Sequence, residues 1–208
     1  MKTELLSANH PIALRHAEDV LRHGGLVAFP TDTIYGLASL PFKAEHVERL
    51  YAAKGRLSSR AIAVLVGHVE DLEKITADIG VTAKRLAERF WPGPLTLVVP
   101  RHPHLPDVLS QDSTVGVRMP DHPLALALLQ AIGPLAVTSA NLSGKDNANT
   151  ASEVMNQLEG RIHLVLDGGR SPGGVPSTVV DCCSSEIVVL RAGPISLDDL
   201  QAVLAEGD

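Results

Sequence analysis

Apolar positions along the chain switch repeatedly between a helical and a strand-like period. Ile12, Leu14, Ala17, Val20 and Leu21 fall on one helical face, and Gly24-Gly25 follow as a stop. Residues 26–29 then read as a short buried strand ended by Pro30. The spacing predicts a helix over 44–53 with Val47, Leu50 and Tyr51 inward. A wholly apolar strand over 61–66 follows, expected to be covered on both faces. Residues 81–90 read as a helix, broken by Trp91-Pro92-Gly93-Pro94 before a strand over 95–99. Val115 and Val117 alternate in a strand over 114–119. Asp121 is placed to cap a helix reaching Ile132, and a strand over 135–138 comes next. Thr150 and Glu153 have the spacing of a capping box at the head of another helix. Strands are expected over 162–166, 178–182 and 187–190, and Ser196 with Asp199 opens a closing helix.

Strands alternating with helices at this density predict an α/β fold with a mixed, twisted β-sheet and flanking helices. Neither an internal repeat nor a low-complexity linker interrupts the pattern, so a single domain over 1–208 is expected. Aromatics make up only 3% of residues, which leaves Val, Leu, Ile and Ala to supply most of the buried area. The formal net charge of −6 disfavours autonomous binding to nucleic acid, which needs a surplus of Lys and Arg, although a local basic groove stays open. Cys182 and Cys183 are adjacent, enclose no loop between them and are read as reduced. No apolar run approaches the roughly 20 residues needed to span a bilayer, and the first residues lack the apolar stretch of a signal peptide. The expectation is a cytoplasmic protein without membrane contact.

Several familiar signatures are absent. Ser143-Gly144-Lys145-Asp146 lacks the spacing and the hydroxyl of a phosphate-binding P-loop, and no G-x-G-x-x-G follows a strand. His102 and His104 sit in a Pro-rich stretch with no helix to fix a third ligand, so no metal site is expected. What remains is a series of polar clusters placed after strands, where α/β proteins build their sites. The first is Pro30-Thr31-Asp32-Thr33-Ile34-Tyr35-Gly36, which fits either a small polar ligand or a self-satisfied turn. Lys54-Gly55-Arg56, followed by Arg60, reads as an anion clamp or as cations at a helix C-terminus. Arg118 closes a strand among apolar neighbours and needs an anionic partner, either a structural or a substrate carboxylate. Small polar groups recur over 138–144, a Gly-rich loop spans 168–174, and Arg191 ends another strand. Together the clusters suit a nucleotide and a small polar acid.

In this order the motifs FPTDTIYGL, Lys54-x-Arg56, STVGVRMPDHP, Ser139-x-Asn141, PSTVVD and LRAG resemble the YrdC/TsaC family of threonylcarbamoyl-adenylate synthases. They cover about residues 25–194. The resemblance implies a YrdC-like fold with a large central cavity, and an enzyme that makes threonylcarbamoyl-AMP and pyrophosphate from L-threonine, bicarbonate and ATP. It further implies that Thr33, Arg118 and Ser177 hold threonine. Lys54, Arg56, Arg60, Thr114, Ser139, Asn141 and Arg191 would face ATP, with Lys54 and Arg56 stabilising the reacting phosphates. Magnesium would accompany the nucleotide. The functional partners implied are the proteins that pass the threonylcarbamoyl group to tRNA, with at most weak tRNA contact by this chain.

Two departures stand out. Many relatives carry P-L-I-V-H where this chain has Ala61-Ile62-Ala63-Val64-Leu65, so a His contact to threonine is absent here or is supplied by His68. Longer relatives append a linker and a second domain that closes over the site, whereas this chain resembles the short, single-domain form, which implies a more open site. The alternatives are a YrdC-like paralogue using another acceptor such as carbamoyl phosphate, and a non-catalytic RNA-binding module.

Overall fold

The computed structural model describes residues 2–55, 61–184 and 186–206. In chain order the elements are β1 (Glu4–Ser7), α1 (Ala13–Arg22), β2 (Val27–Phe29), β3 (Gly36–Ser39), α2 (Ala44–Lys54), β4 (Ala63–Leu65), α3 (Val81–Phe90) and β5 (Leu95–Pro100). They continue with β6 (Thr114–Arg118), α4 (Pro123–Ile132), β7 (Leu135–Ser139), α5 (Ala151–Leu158), β8 (Leu164–Asp167), β9 (Thr178–Asp181), β10 (Val188–Arg191) and α6 (Leu197–Ala205). The strands form one mixed sheet in the order β1-β8-β2-β3-β7-β4-β6-β5-β9-β10. Parallel pairs such as β4–β6 and β5–β9 alternate with antiparallel ones such as β3–β7 and β5–β6.

Side chains alternate between the two faces of a strand, and the faces of this sheet are covered unequally. On one face α2, α3, α5 and α6 bring Val47, Leu50, Leu86, Val154 and Leu200 against a row that runs from Val165 in β8 to Val180 in β9. On the other face α1 and α4 bring Ala17, Leu21, Leu128 and Leu129 onto Phe29, Ala38, Leu65, Leu135 and Leu166. That second layer of helices stops at β4. From Ala63 onward, across Gly116, Thr96, Val98 and Val179, no helix among the described residues covers the sheet, and these side chains line a cavity instead. The functional geometry starts from this half-covered sheet.

Three local expectations are corrected. The strand around 61–66 is covered on both faces only in part: Val64 joins one core and Leu65 the other, while Ala63 opens onto the cavity that Leu65 also borders. The residue preceding α4 is His122, not Asp121, and the helix starts on Pro123, whose fixed φ suits a first helical turn and whose missing N–H costs nothing there. Thr150 accepts from the Glu153 N–H, but the Glu153 carboxylate takes the N–H of Asn149 rather than that of Thr150, so the box closes one residue early. The Ser196–Asp199 box is complete. Cys182 and Cys183 are both free, and burial pushes the Cys182 thiol up to about 12, which keeps it protonated at neutral pH. Among the described residues no helix is long and apolar enough to cross a membrane.

Candidate functional site

The cavity over the uncovered part of the sheet has a volume of about 340 Å³. Its floor is built from small side chains at every second position of neighbouring strands: Ala63 in β4, Gly116 in β6, Thr96 and Val98 in β5, Val179 in β9. A side chain on Gly116 would press within 3.1 Å of Thr96 Cγ2, so glycine keeps the floor flat there. Polar groups stand around this apolar floor. Among the described residues that line it there are two arginines and no carboxylate.

Arg118 closes one end. It leaves β6 at the register position opposite Leu65 and is only 5% exposed, so every polar atom of its guanidinium must find a partner. Nε donates to the Gly93 carbonyl at 2.9 Å, Nη1 donates to Thr33 Oγ1 at 3.0 Å, and Nη2 donates to Asp32 Oδ1. Burial pulls the guanidinium pKa down, and the Asp32 carboxylate acts against that fall. The Thr33 hydroxyl is also committed on its donor side. Thr31 Oγ1 gives its proton to the Ile34 carbonyl at 2.7 Å, so the Thr31–Thr33 contact at 3.0 Å has Thr33 as donor. The 30–36 cluster is thus a self-bonded turn that presents Thr31 and Thr33 to the cavity, and Asp32 is the structural carboxylate that Arg118 needed.

Arg191 stands where β10 finishes, and its charge bears on the Arg118 guanidinium. Its Nε and Nη2 donate to the Ser177 carbonyl at 3.0 and 2.8 Å, and Nη2 also reaches Ser177 Oγ at 3.0 Å. Ser177 Oγ in turn meets Thr96 Oγ1 at 2.8 Å, which ties the start of β9 to the floor. Gly193 lets the chain cross here: a Cβ on it would lie 2.3 Å from the Thr178 nitrogen.

The third wall joins two motifs. The Lys54 ammonium, at the C-terminal end of α2 and 3% exposed, donates to the carbonyls of Ser139 and Asn141, the latter at 2.6 Å. Ser139 lines the cavity, whereas Lys54 and Asn141 stand behind it. Asn141 Nδ2 donates to the carbonyls of Leu142 and Lys145 and so shapes the loop after β7.

Of the residues expected to act together, Thr33, Arg118, Ser139, Ser177 and Arg191 line the one cavity. Thr114 does not; it shares the face of Gly116 and Arg118 but lies at the far end of β6, paired with Pro100. Arg56 and Arg60 lie outside the described residues. Leu65 lines the cavity beside Arg118, and His68 is exposed beyond the end of β4 and does not replace a histidine there. The Gly-rich loop over 168–174, a natural place to seek a closing flap, is fastened in this structure. Tyr35 Oη donates to the Gly169 carbonyl at 2.7 Å, and the Ser171 and Gly174 N–H groups donate to the carbonyls of Asn149 and Thr33. Thr96 and Asn147 line the cavity and were not singled out in the sequence; Asp32 was, within the 30–36 cluster, but without its pairing to Arg118. Only Thr96 had a positional signal, a hydroxyl inside the otherwise apolar run of β5.

Residues 19–193 match the Sua5–YciO–YrdC family, whose description is "Telomere recombination". A curated relative from Bacillus subtilis (strain 168), named threonylcarbamoyl-AMP synthase, is 43% identical over 97% of this chain and 59% of its own. The crystal structure of Pyrococcus abyssi Sua5 complexed with L-threonine superposes with a TM-score of 0.93 at 37% identity, covering 99% of this chain and 62% of that one. The E. coli YciO crystal structure gives a TM-score of 0.84 at 25% identity and covers 96% and 98% of the two chains. The chain therefore spans about three fifths of the length of the first two and nearly all of the third.

Proposed function

Because the chain belongs to the Sua5–YciO–YrdC family, we propose that it makes threonylcarbamoyl-AMP and pyrophosphate from L-threonine, bicarbonate and ATP, as the activated donor for a tRNA modification. The observation that carries the proposal is the convergence of four separated motifs, around Thr33, Arg118, Ser139 and Ser177/Arg191, on one cavity whose lining, among the described residues, holds two guanidiniums and no acid. The names of the relatives and the threonine complex of Pyrococcus abyssi Sua5 support it.

Threonine takes the Arg118 end. Its carboxylate accepts from the guanidinium, while Thr33 and Ser177 offer hydroxyl oxygens. ATP lies toward Arg191 and Ser139, with Lys54 and Asn141 holding the Ser139 wall and Thr114 in line along β6. Arg56 and Arg60 complete the cationic side. Magnesium comes in on the phosphates as part of the substrate. The donor set suits that rather than a protein cage, since among the described residues no carboxylate lines the cavity and no group of three His, Cys, Asp or Glu is placed for a metal.

The reaction needs no covalent nucleophile from the protein. The neutral amine of threonine bonds to the carbon of bicarbonate, and the hydroxyl leaves with the amine proton as water. A carbamate oxygen then attacks the α-phosphorus, and the bond to the bridging oxygen breaks with its electron pair leaving on pyrophosphate. The protein supplies alignment of two bound reactants and cations aimed at the phosphate charge that grows during transfer. The proteins that transfer the threonylcarbamoyl group to tRNA are the partners that consume the product.

Incubation with ¹⁴C-bicarbonate, ATP and L-threonine tests the reading. Label is expected in a nucleotide-bearing product, in equal amount to the pyrophosphate formed. Pyrophosphate without label in the nucleotide fraction would contradict it.

A further inference from the structure

Three hydroxyls of the cavity wall spend their protons differently. Thr33 gives its proton to Thr31 and accepts from Arg118 Nη1, which leaves it one lone pair and no donor. Ser177 Oγ and Thr96 Oγ1 lie 2.8 Å apart, both residues are buried, and either oxygen has the geometry to donate. Arg191 decides between them. Its Nη2 donates to Ser177 Oγ at 3.0 Å, and a hydroxyl oxygen that accepts from a cation becomes a stronger donor and a poorer acceptor. Ser177 therefore gives its proton to Thr96 and keeps one lone pair for the cavity. Thr96 accepts that proton, and its own O–H has no acceptor among the described residues. Its rotamer is fixed from the other side. A Cβ on Gly116 would sit 3.1 Å from Thr96 Cγ2, so the methyl turns to β6 and the hydroxyl to Ser177 at the head of β9. In the strand register Thr96 lies opposite Val179 of β9 and, one step beyond the Leu97–Val117 pair, opposite Arg118 of β6. Val179 pairs in turn with Arg191, so Thr96 belongs to one row with a guanidinium on each side.

We propose that Thr96 is a further catalytic residue, donating its O–H to an oxygen of bicarbonate while the threonine amine adds to the carbon. The inference rests on the reading that the chain forms threonylcarbamoyl-AMP with the threonine carboxylate at Arg118. A neutral amine that is to attack turns its N–H groups to acceptors, and Thr33 and Ser177 offer lone pairs with their protons already committed. Thr96 Oγ1 is one hydrogen-bond length from Ser177 Oγ, so a carbon joined to that amine comes within reach of the Thr96 proton. As the C–N bond forms, the π pair of the C=O bond moves onto the oxygen that Thr96 holds. When that pair returns, hydroxide leaves and takes the amine proton with it as water. Thr96 keeps its own proton throughout. Its hydrogen bond strengthens as charge grows on the oxygen, and the guanidiniums in the same row favour that charge.

The test is Thr96→Val, which keeps a methyl beside Gly116 and removes the hydroxyl, with Thr96→Ser as the variant that returns it. Pyrophosphate release is followed against bicarbonate at saturating ATP and L-threonine. Threonine binding is measured by calorimetry without ATP or bicarbonate. In Thr96→Val, kcat/KM for bicarbonate is expected to fall about tenfold or more, the loss of one hydrogen bond to a charged oxygen, while the threonine Kd stays within about threefold. Thr96→Ser is expected to remain within about threefold of the wild type in both measurements. A Thr96→Val variant with unchanged kcat/KM for bicarbonate would overturn the proposal. So would one whose threonine Kd rises as much as kcat/KM falls, because Thr96 would then only support Ser177. Should Thr96→Val fail to fold, Thr96→Ala is compared with Thr96→Ser in the same way and with the same outcomes. A wild type that binds no threonine, or that releases pyrophosphate without bicarbonate, would instead overturn the activity on which the inference rests, so the two failures are distinguishable.

Discussion

Arg118→Ala is expected to lower stability by about 3–5 kcal/mol and to abolish threonine-dependent turnover. The size of the effect follows from what the substitution strands. Arg118 is 5% exposed and holds three separated groups at once: the Gly93 carbonyl, the Thr33 hydroxyl and the Asp32 carboxylate. Without the guanidinium Asp32 is a buried charge with no partner on either oxygen, since Oδ2 already has none. Breaking a buried pair in this one-sided way costs far more than the pair itself contributes. The double variant Arg118→Ala, Asp32→Ala should therefore be more stable than Arg118→Ala alone, although equally inactive. Urea denaturation of the three proteins measures the first part, and steady-state kinetics the second. A single variant as stable as the wild type would mean that Asp32 is not confined behind Arg118 as the structure places it.

Lys54→Met is expected to cut turnover by about 10²-fold or more and to cost about 1–3 kcal/mol of stability. Methionine matches the length of the side chain and removes its charge and donors. In the structure the ammonium is directed at the carbonyls of Ser139 and Asn141, so the expected damage reaches the cavity through the Ser139 wall. Lys54→Arg should not restore activity, because a planar fork cannot replace a compact ammonium between two carbonyls that close together. Thermal melts and kcat measured on the same preparations separate the outcomes. Lost stability with unchanged kcat would make Lys54 a structural residue only.

Much of this architecture is legible in the sequence. The helix over Val81–Phe90 and the strand from Leu95 follow directly from periodicity and from the Trp91–Pro94 break. β1 and β3 were not legible. β3 is four residues, Gly36-Leu37-Ala38-Ser39, with no alternation, and it exists because β2 and β7 flank it and Gly36 admits Val137 from next door. The extent of each core was equally hidden. An apolar run at 61–66 cannot say that the helices on one side end at β4, because that depends on where α1 and α4 land. For the site, residue types and spacing pointed to Thr33, Arg118, Ser139, Ser177 and Arg191, all on the cavity wall. They could not say that Arg118 already owns a carboxylate in Asp32, or that Lys54 faces a main chain, because both facts arise from contacts between segments about 85 residues apart. The site's polarity is a tertiary property.

The most direct test of the central claim is pyrophosphate release from ATP, followed with L-threonine and bicarbonate each omitted in turn. Release that requires both is the predicted result, since the carbamate must exist before it can attack the α-phosphorus. Release indifferent to threonine, or none with all three present, would contradict the proposed activity and leave the fold and its half-covered sheet in need of another acceptor at the Arg118 end.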